Sequence, residues 1–110
     1  MKIVDALPKT TSGRAIGSQL VRSGTSVGAN YRSACRGRSE AEFTAKLGVV
    51  VEEADESGYW MELIVEGNLL PDKQVSPLLQ ESEELVALFT ASIRTTRERK
   101  KSNAIQEPIR

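Results

Sequence analysis

The sequence predicts an all-α fold, an antiparallel up-and-down bundle of helices, and three observations predict it. Apolar residues recur at steps of three and four over long segments, capping residues and prolines punctuate those segments, and no stretch alternates apolar and polar residues as a strand would. The chain has 110 residues, a length at which contacts with copies of itself would help to complete the core. We expect one bundle domain over residues 1–101 and a disordered tail over residues 102–110.

The first two predicted helices differ in length. The first, residues 2–7, stops at Pro8, because proline lacks a backbone donor and cannot continue a helix. The second spans residues 12–37, with Thr11 or Ser12 as its N-cap. Each glycine inside it costs about 0.5–1 kcal/mol relative to alanine, so close packing against another helix is expected to compensate. The residues assigned here to the core or to contacts between copies are Leu20, Gly24, Val27, Asn30 and Tyr31.

The third predicted helix spans residues 40–66. Ser39 and Glu42 form a capping box at its start, and Gly67-Asn68 supplies a stop at its end. Between them, apolar residues follow a heptad-like spacing, which favours packing against other helices. The residues assigned here to the core or to contacts between copies are Phe43, Leu47 and Trp60.

The fourth predicted helix spans residues 77–100. Ser76 is its expected N-cap, and Pro77 occupies the first helical position, where a missing N–H does no harm. Its apolar periodicity ends at a cationic run from Arg94 to Lys101. Short connections between the long helices favour antiparallel neighbours.

Charge is distributed in three blocks although the net charge is zero. Residues 6–39 carry +6, residues 40–84 carry −10 and residues 85–110 carry +4. The arginines can neutralise phosphates of a nucleic acid, or they can pair with the acids of the third helix, and the zero net charge favours the pairing. The candidate nucleic-acid-binding residues are Arg14, Arg22, Arg32, Arg36, Arg38, Arg97, Arg99, Lys100 and Lys101.

Composition excludes most familiar catalytic designs. The chain has no histidine and one cysteine, which removes histidine acid–base chemistry, Ser-His or Cys-His pairs and Cys/His zinc sites within one chain. Four carboxylates at Glu52, Glu53, Asp55 and Glu56 are a weak metal candidate, and we expect a polar helix face instead. We therefore predict no enzyme activity, cofactor or small-molecule substrate. The lone thiol and the absence of a signal peptide or membrane span predict a cytoplasmic protein.

Several single residues allow two interpretations. Tyr59 and Trp60 can stack on nucleic-acid bases, but we favour a role as core or interface anchors. Asn30 and Ser26 lie four residues apart and can set helix register through buried hydrogen bonds, with ligand contact as the alternative. Cys35 is predicted to be a buried small apolar residue.

The chain resembles the family of the 23S rRNA intervening-sequence protein from about residue 7 to residue 100. Any one of the shared positions is weakly specific, but their combined spacing is specific. They are Gln19-Leu20, Arg22-Ser23, Ser26 and Ala29-Asn30 in the second helix, Ser39, Glu42-Phe43, Lys46-Leu47, Glu53-Ala54, Glu56 and Trp60 in the third, and Glu81 to Leu85 in the last.

The resemblance implies an antiparallel four-helix bundle that forms a ring-shaped homo-oligomer, usually a pentamer, without catalytic activity. Relatives include accessory proteins of diversity-generating retroelements, which contact nucleic acid or a reverse transcriptase through a basic surface. This chain departs from the family at its shortened first helix. Either the natural gene starts further upstream or the short helix is genuine, and a missing helix would leave an apolar groove for a neighbouring chain to cover.

The function predicted from the sequence is that of a non-enzymatic oligomeric scaffold or accessory protein. The alternative is an accessory protein that binds RNA or DNA through the basic second helix and the C-terminal tail. Predicted partners are copies of the chain itself and, under the alternative, a nucleic acid; no membrane contact is expected.

Overall fold

The structure, a computed structural model, describes residues 1–106 and consists of four α-helices. These are α1 (Lys2–Asp5), α2 (Thr11–Cys35), α3 (Glu40–Glu66) and α4 (Asp72–Gln106), and this range contains no strand. The predicted all-α class is therefore confirmed. The predicted disordered tail is wrong in part, because α4 continues to Gln106; the rest of that tail, residues 107–110, lies outside the described residues.

The three long helices pack side by side with α3 in the middle. Helices α2 and α4 each pack along α3, and α1 packs against α2. Both long pairs are antiparallel: Ser57 of α3 contacts Ser23 of α2, and Glu40 at the start of α3 contacts Arg99 near the end of α4. The molecule measures 66 × 22 × 17 Å.

Helix α2 begins one residue after its cap, Thr10. The Thr10 hydroxyl accepts a hydrogen bond from the Gly13 N–H at 3.1 Å, which satisfies a donor that the first turn leaves free. The predicted N-caps, Thr11 and Ser12, are wrong because both residues already lie inside the helix. Thr10, Thr11 and Ser12 all carry hydroxyl groups, so the sequence alone does not identify the cap. The course of the chain after Pro8 places Thr10 in the capping position.

The ends of α3 follow from its local sequence. Ser39 caps the start by accepting a hydrogen bond from the Glu42 N–H, and the Glu42 carboxylate accepts one from the Arg38 N–H at 2.7 Å. At the other end, Asn68 adopts a left-handed conformation with φ 54°. The Asn68 and Leu69 N–H groups then bond the carbonyls of Val65 and Ile64, the pattern of a Schellman motif.

Helix α4 begins at Asp72, five residues before the predicted start at Pro77. Ser76 is therefore not an N-cap; its hydroxyl donates to the Asp72 carbonyl and carboxylate from inside the helix. The earlier start buries Val75 completely in the core. This apolar contact offsets the loss of one helical hydrogen bond at Pro77.

The main apolar core lies at the end of the bundle where α1 sits. It is formed by Ile3, Leu7, Leu20, Met61, Ile64 and Val75, which come from all four helices. Toward the other end the core narrows to Ala34, Leu47, Val50 and Ala54. The short α1 covers α2 and α4 only at its own end of the bundle. Toward the opposite end, the surface between α2 and α4 is therefore uncovered.

Candidate functional site

One end of the bundle collects most of the positive charge. We call it the cationic end: residues 29–48 and 90–106, where α2 ends, α3 begins and α4 ends. It contains three acidic and nine cationic residues, the latter being Arg32, Arg36, Arg38, Lys46, Arg94, Arg97, Arg99, Lys100 and Lys101. The other described residues include eleven acidic and five cationic ones. The charge blocks of the sequence are thus separated along the long axis.

The structure brings together six of the nine predicted nucleic-acid-binding residues. All six line two open grooves of about 790 and 880 Å³, which Lys46 and Arg94 also line. The six are exposed and have no ion pair within the described part of the chain: Arg32, Arg36, Arg38, Arg97, Lys100 and Lys101. Lys46 was missed because it lies in the acidic block of the sequence, although its place in the first two turns of α3 pointed to this end.

The other three predicted residues are placed differently. Arg14 lies at the start of α2, at the opposite end of the bundle. Arg22 pairs with Glu53 at 3.3 Å and with Glu56, and Arg99 pairs with Glu40 at 2.8 Å. Because all these side chains are at least partly exposed, each pair contributes only about 0–1 kcal/mol to stability.

The carboxylate cluster of α3 splits between two sides of the helix. Glu53 and Glu56 face Arg22 on α2, whereas Glu52 and Asp55 line grooves on the α4 side. Within residues 1–106 no group of three or more metal-binding side chains converges. The arrangement matches the polar helix face that we expected.

A long groove runs between α3 and α4 near the cationic end, and we call it the seam groove. Its floor is apolar, formed by Gly48, Val51 and Ile93. Arg94, Arg97 and Lys101 lie on its α4 edge at steps of three and four, and Glu52 lies on its α3 edge. Such a groove fits an elongated, partly apolar and acidic ligand.

A second surface, between α2 and α4, is apolar and uncovered, and we call it the open face. Six large apolar side chains are exposed in the described part of the chain, and three of them belong to this face: Met1, Tyr31 and Leu78. Met1 and Leu78 line a small cleft of about 210 Å³ with Val27 and Leu85. A contiguous apolar surface of this kind is typical of a protein interaction site.

The residues predicted for the core or for contacts between copies divide by burial. Leu20 and Leu47 are buried. Five are half-buried: Gly24, Val27, Asn30, Phe43 and Trp60. Tyr31 is 44% exposed, and its ring contacts that of Phe89 across the open face at 5.4 Å between centroids.

Two predictions about single residues are wrong, and one buried contact was not predicted. Cys35 is exposed rather than buried. The Asn30 side-chain amide donates to the Ser26 carbonyl and hydroxyl within one helix, so it does not connect helices. The buried contact that does connect them is a 2.8 Å hydrogen bond between Ser57 and Ser23, which small polar residues gave no reason to expect.

The two neighbouring aromatic residues of α3 lie away from the cationic end. Tyr59 is exposed, and its ring meets the edge of Trp60 at 5.0 Å between centroids. Trp60 packs against the main apolar core, as we expected. The pair therefore offers no base-stacking platform beside the clustered arginines.

Comparison with known proteins gives this architecture a family. The family model of the 23S rRNA-intervening sequence protein matches residues 1–91. The chain belongs to this family. A crystal structure of a protein of unknown function from the S23 ribosomal protein family of Bacteroides thetaiotaomicron VPI-5482 is similar, with 35% sequence identity and a TM-score of 0.68. The match covers 72% of this chain and 70% of the other.

The comparison confirms the resemblance seen in the sequence. No curated protein matches the chain. Neither the family description nor the Bacteroides structure names a catalytic activity. None of the helices within residues 1–106 is long and apolar enough to cross a membrane.

Proposed function

We propose that this member of the 23S rRNA-intervening sequence protein family is a non-enzymatic scaffold or accessory protein that assembles with copies of itself. The ring-shaped homopentamer implied by the resemblance is the expected form. The observation that carries the proposal is the open face, which gathers three of the six exposed large apolar side chains of the described chain. Water contact at these side chains is unfavourable, and a neighbouring copy would remove it.

The size of this apolar contribution shows what else assembly requires. Full burial of one large apolar side chain is worth about 1.5–3 kcal/mol, so three roughly half-exposed ones contribute roughly 2–5 kcal/mol. Association costs about 4–15 kcal/mol in lost freedom of motion. The free energy gained by burying these apolar side chains therefore does not by itself outweigh the free-energy cost of association. Complementary charges at the same interface would have to supply selectivity and the remainder.

Light scattering tests this proposal directly. The native protein at micromolar concentration should have a mass several times the 12.0 kDa of one chain. Leu78→Lys should lower the mass, because Leu78 is 41% exposed on the open face. Tyr59→Lys is the matched control: Tyr59 is 52% exposed but lies elsewhere, and its variant should keep the native mass. A native protein that stays monomeric would overturn the proposal.

A second candidate function, binding of RNA or DNA, is favoured by the cationic end. Zero net charge argues against a polyanion partner only if the acids lie close to the cations. The molecule is 66 Å long, whereas charges in physiological salt are screened over about 8 Å. The acids near the opposite end therefore do not cancel the positive potential at this one.

Salt dependence tests the second candidate. Binding of a single-stranded RNA or a duplex DNA should weaken steeply as salt rises, because each contacted phosphate releases counterions. Arg36 and Arg38 lie in the connection between α2 and α3, so glutamate at both should reduce binding without breaking a helix. Equal retention of an uncharged polymer would rule the candidate out.

A further inference from the structure

The outer edge of α4, which borders the open face, alternates apolar and acidic side chains. Leu78, Leu85 and Leu88 follow one another at helical spacing, and Glu81 and Glu84 lie among them. We call these five residues the α4 ridge. Leu78 and Leu88 are 41% and 58% exposed, and no cation within residues 1–106 pairs with either glutamate. The ridge is thus an amphipathic, acidic helix edge without a partner in the chain.

The seam groove has the complementary chemistry. Its floor of Gly48, Val51 and Ile93 can receive leucine side chains, and a Cβ at Gly48 would have no neighbour within 4 Å. Its α4 edge presents Arg94 and Arg97, which are three residues apart. Glu81 and Glu84 on the ridge are also three residues apart, about 4.5 Å along the helix axis. Two acids and two cations with the same spacing can pair while leucines enter the groove.

We propose that the α4 ridge of one copy docks in the seam groove of a second copy. This inference rests on the proposed self-assembly and names the two surfaces that meet. The ridge and the groove lie on different sides of α4, because Leu78, Glu81 and Leu85 line the cleft of the open face whereas the groove residues of α4 line the α3 seam. Each copy therefore gives its ridge to one neighbour and its groove to another. This contact is heterologous, and it produces a ring when the rotation closes.

A nucleic acid fits the seam groove less well than a second copy. A phosphate backbone would pair with Arg94 and Arg97 but would leave the apolar floor without an apolar partner. Glu52 and Glu98 also line the groove and repel phosphates and ridge glutamates alike, so the apolar floor decides between the two ligands. The ridge contributes both leucines and carboxylates, so it matches the floor and the cationic edge together.

Two complementary charge reversals test the docking. E81K/E84K reverses the charges of the ridge and leaves the groove unchanged. R94E/R97E reverses the charges of the groove and leaves the ridge unchanged. Each variant alone should be a monomer of 12.0 kDa by light scattering. An equimolar mixture should again form species larger than a pair, in which the two variants alternate, because the ridge of each variant is opposite in charge to the groove of the other. The chain carrying all four reversals should regain the native mass, which shows that the variants fold.

The other outcomes distinguish this contact from self-assembly in general. Arg14→Glu and Glu66→Lys reverse exposed charges outside both surfaces and should keep the native mass. If the native chain is a monomer, the proposed self-assembly and this contact both fail. If the native chain assembles but both charge-reversed variants keep its mass, the contact fails while self-assembly stands. A mixture of the two variants that stays monomeric would also overturn it, because each variant's ridge is opposite in charge to the other's groove.

Discussion

At the scale of single residues, the glycines of α2 have two different environments. A Cβ at Gly13 would overlap the carbonyl oxygen of Pro8, where the chain from α1 passes over α2. At Gly28 the same atom would have no neighbour within 4 Å. The first glycine therefore permits a close approach of two backbones, while the second only adds flexibility to a helix.

Alanine at these two glycines should change stability in opposite directions. Gly13→Ala must displace backbone atoms, so the free energy of unfolding should fall by about 1–3 kcal/mol. Gly28→Ala reduces the flexibility of the backbone without a clash, so the free energy of unfolding should rise by about 0.5–1 kcal/mol. Urea unfolding with an unchanged slope measures both. Equal effects of the two substitutions would show that α1 does not pack against α2 at Gly13.

Tyr31 has a neighbour that alters its ionisation. A hydrogen bond to Cys35 raises the pKa of Tyr31, and the negative charge of the Cys35 thiolate and slight desolvation raise it further. In a Tyr59→Phe background, where Tyr31 is the only tyrosine, Cys35→Ala should lower this pKa. Titration of tyrosinate absorbance measures the change, and identical curves with and without the thiol would contradict it.

The same shift gives the direction of a pH effect on stability. Because the pKa of Tyr31 is higher in the folded chain, the contribution is fully present below the ordinary tyrosine pKa of about 10. This stabilising contribution is lost as pH rises through the pKa that Tyr31 has in the folded chain. Cys35→Ala should therefore make stability less dependent on pH in this alkaline range.

At the scale of elements, the start of α2 depends on one hydroxyl among three consecutive candidates. Thr10→Ala should lower the free energy of unfolding by about 1 kcal/mol, because it removes the acceptor of the Gly13 N–H. Ser12→Ala is the matched control: Ser12 is exposed inside the first turn, and its variant should change stability by less than about 0.5 kcal/mol. Thermal unfolding followed by circular dichroism would compare them, and a larger loss for Ser12→Ala would place the cap elsewhere.

The helix ends show which parts of the fold can be predicted from sequence. Both ends of α3 are set by local hydrogen bonds, those of Ser39 with Glu42 and the Schellman bonds around Asn68, so a local pattern predicts them. The start of α4 depends on the burial of Val75 against other helices. No local pattern contains that contact, so Ser76 and Pro77, which form a typical helix start, predicted the first turn of α4 too late.

At the scale of the whole molecule, the same distinction applies to the candidate surfaces. The charge blocks were visible in the sequence, but their meeting at one end depends on the antiparallel order of three helices. That order places Lys46 beside the cations of α2, and it directs Arg22 to Glu53 and Glu56. Sequence position alone gave Arg22 and Arg36 equal weight as phosphate ligands, whereas their surroundings in the bundle differ.

This difference can be measured if the chain binds single-stranded RNA. Arg36 is exposed at the cationic end without an ion pair in the described chain, so Arg36→Gln should remove one phosphate contact. The slope of log affinity against log salt should then decrease in magnitude by about 0.7. Arg22→Gln is the control and should leave the slope unchanged, because Glu53 and Glu56 already neutralise Arg22. Equal slope changes for the two variants would mean that RNA contacts the side of the bundle rather than its cationic end, since Arg22 lies about 20 Å along α2 from Arg36 at 1.5 Å per residue.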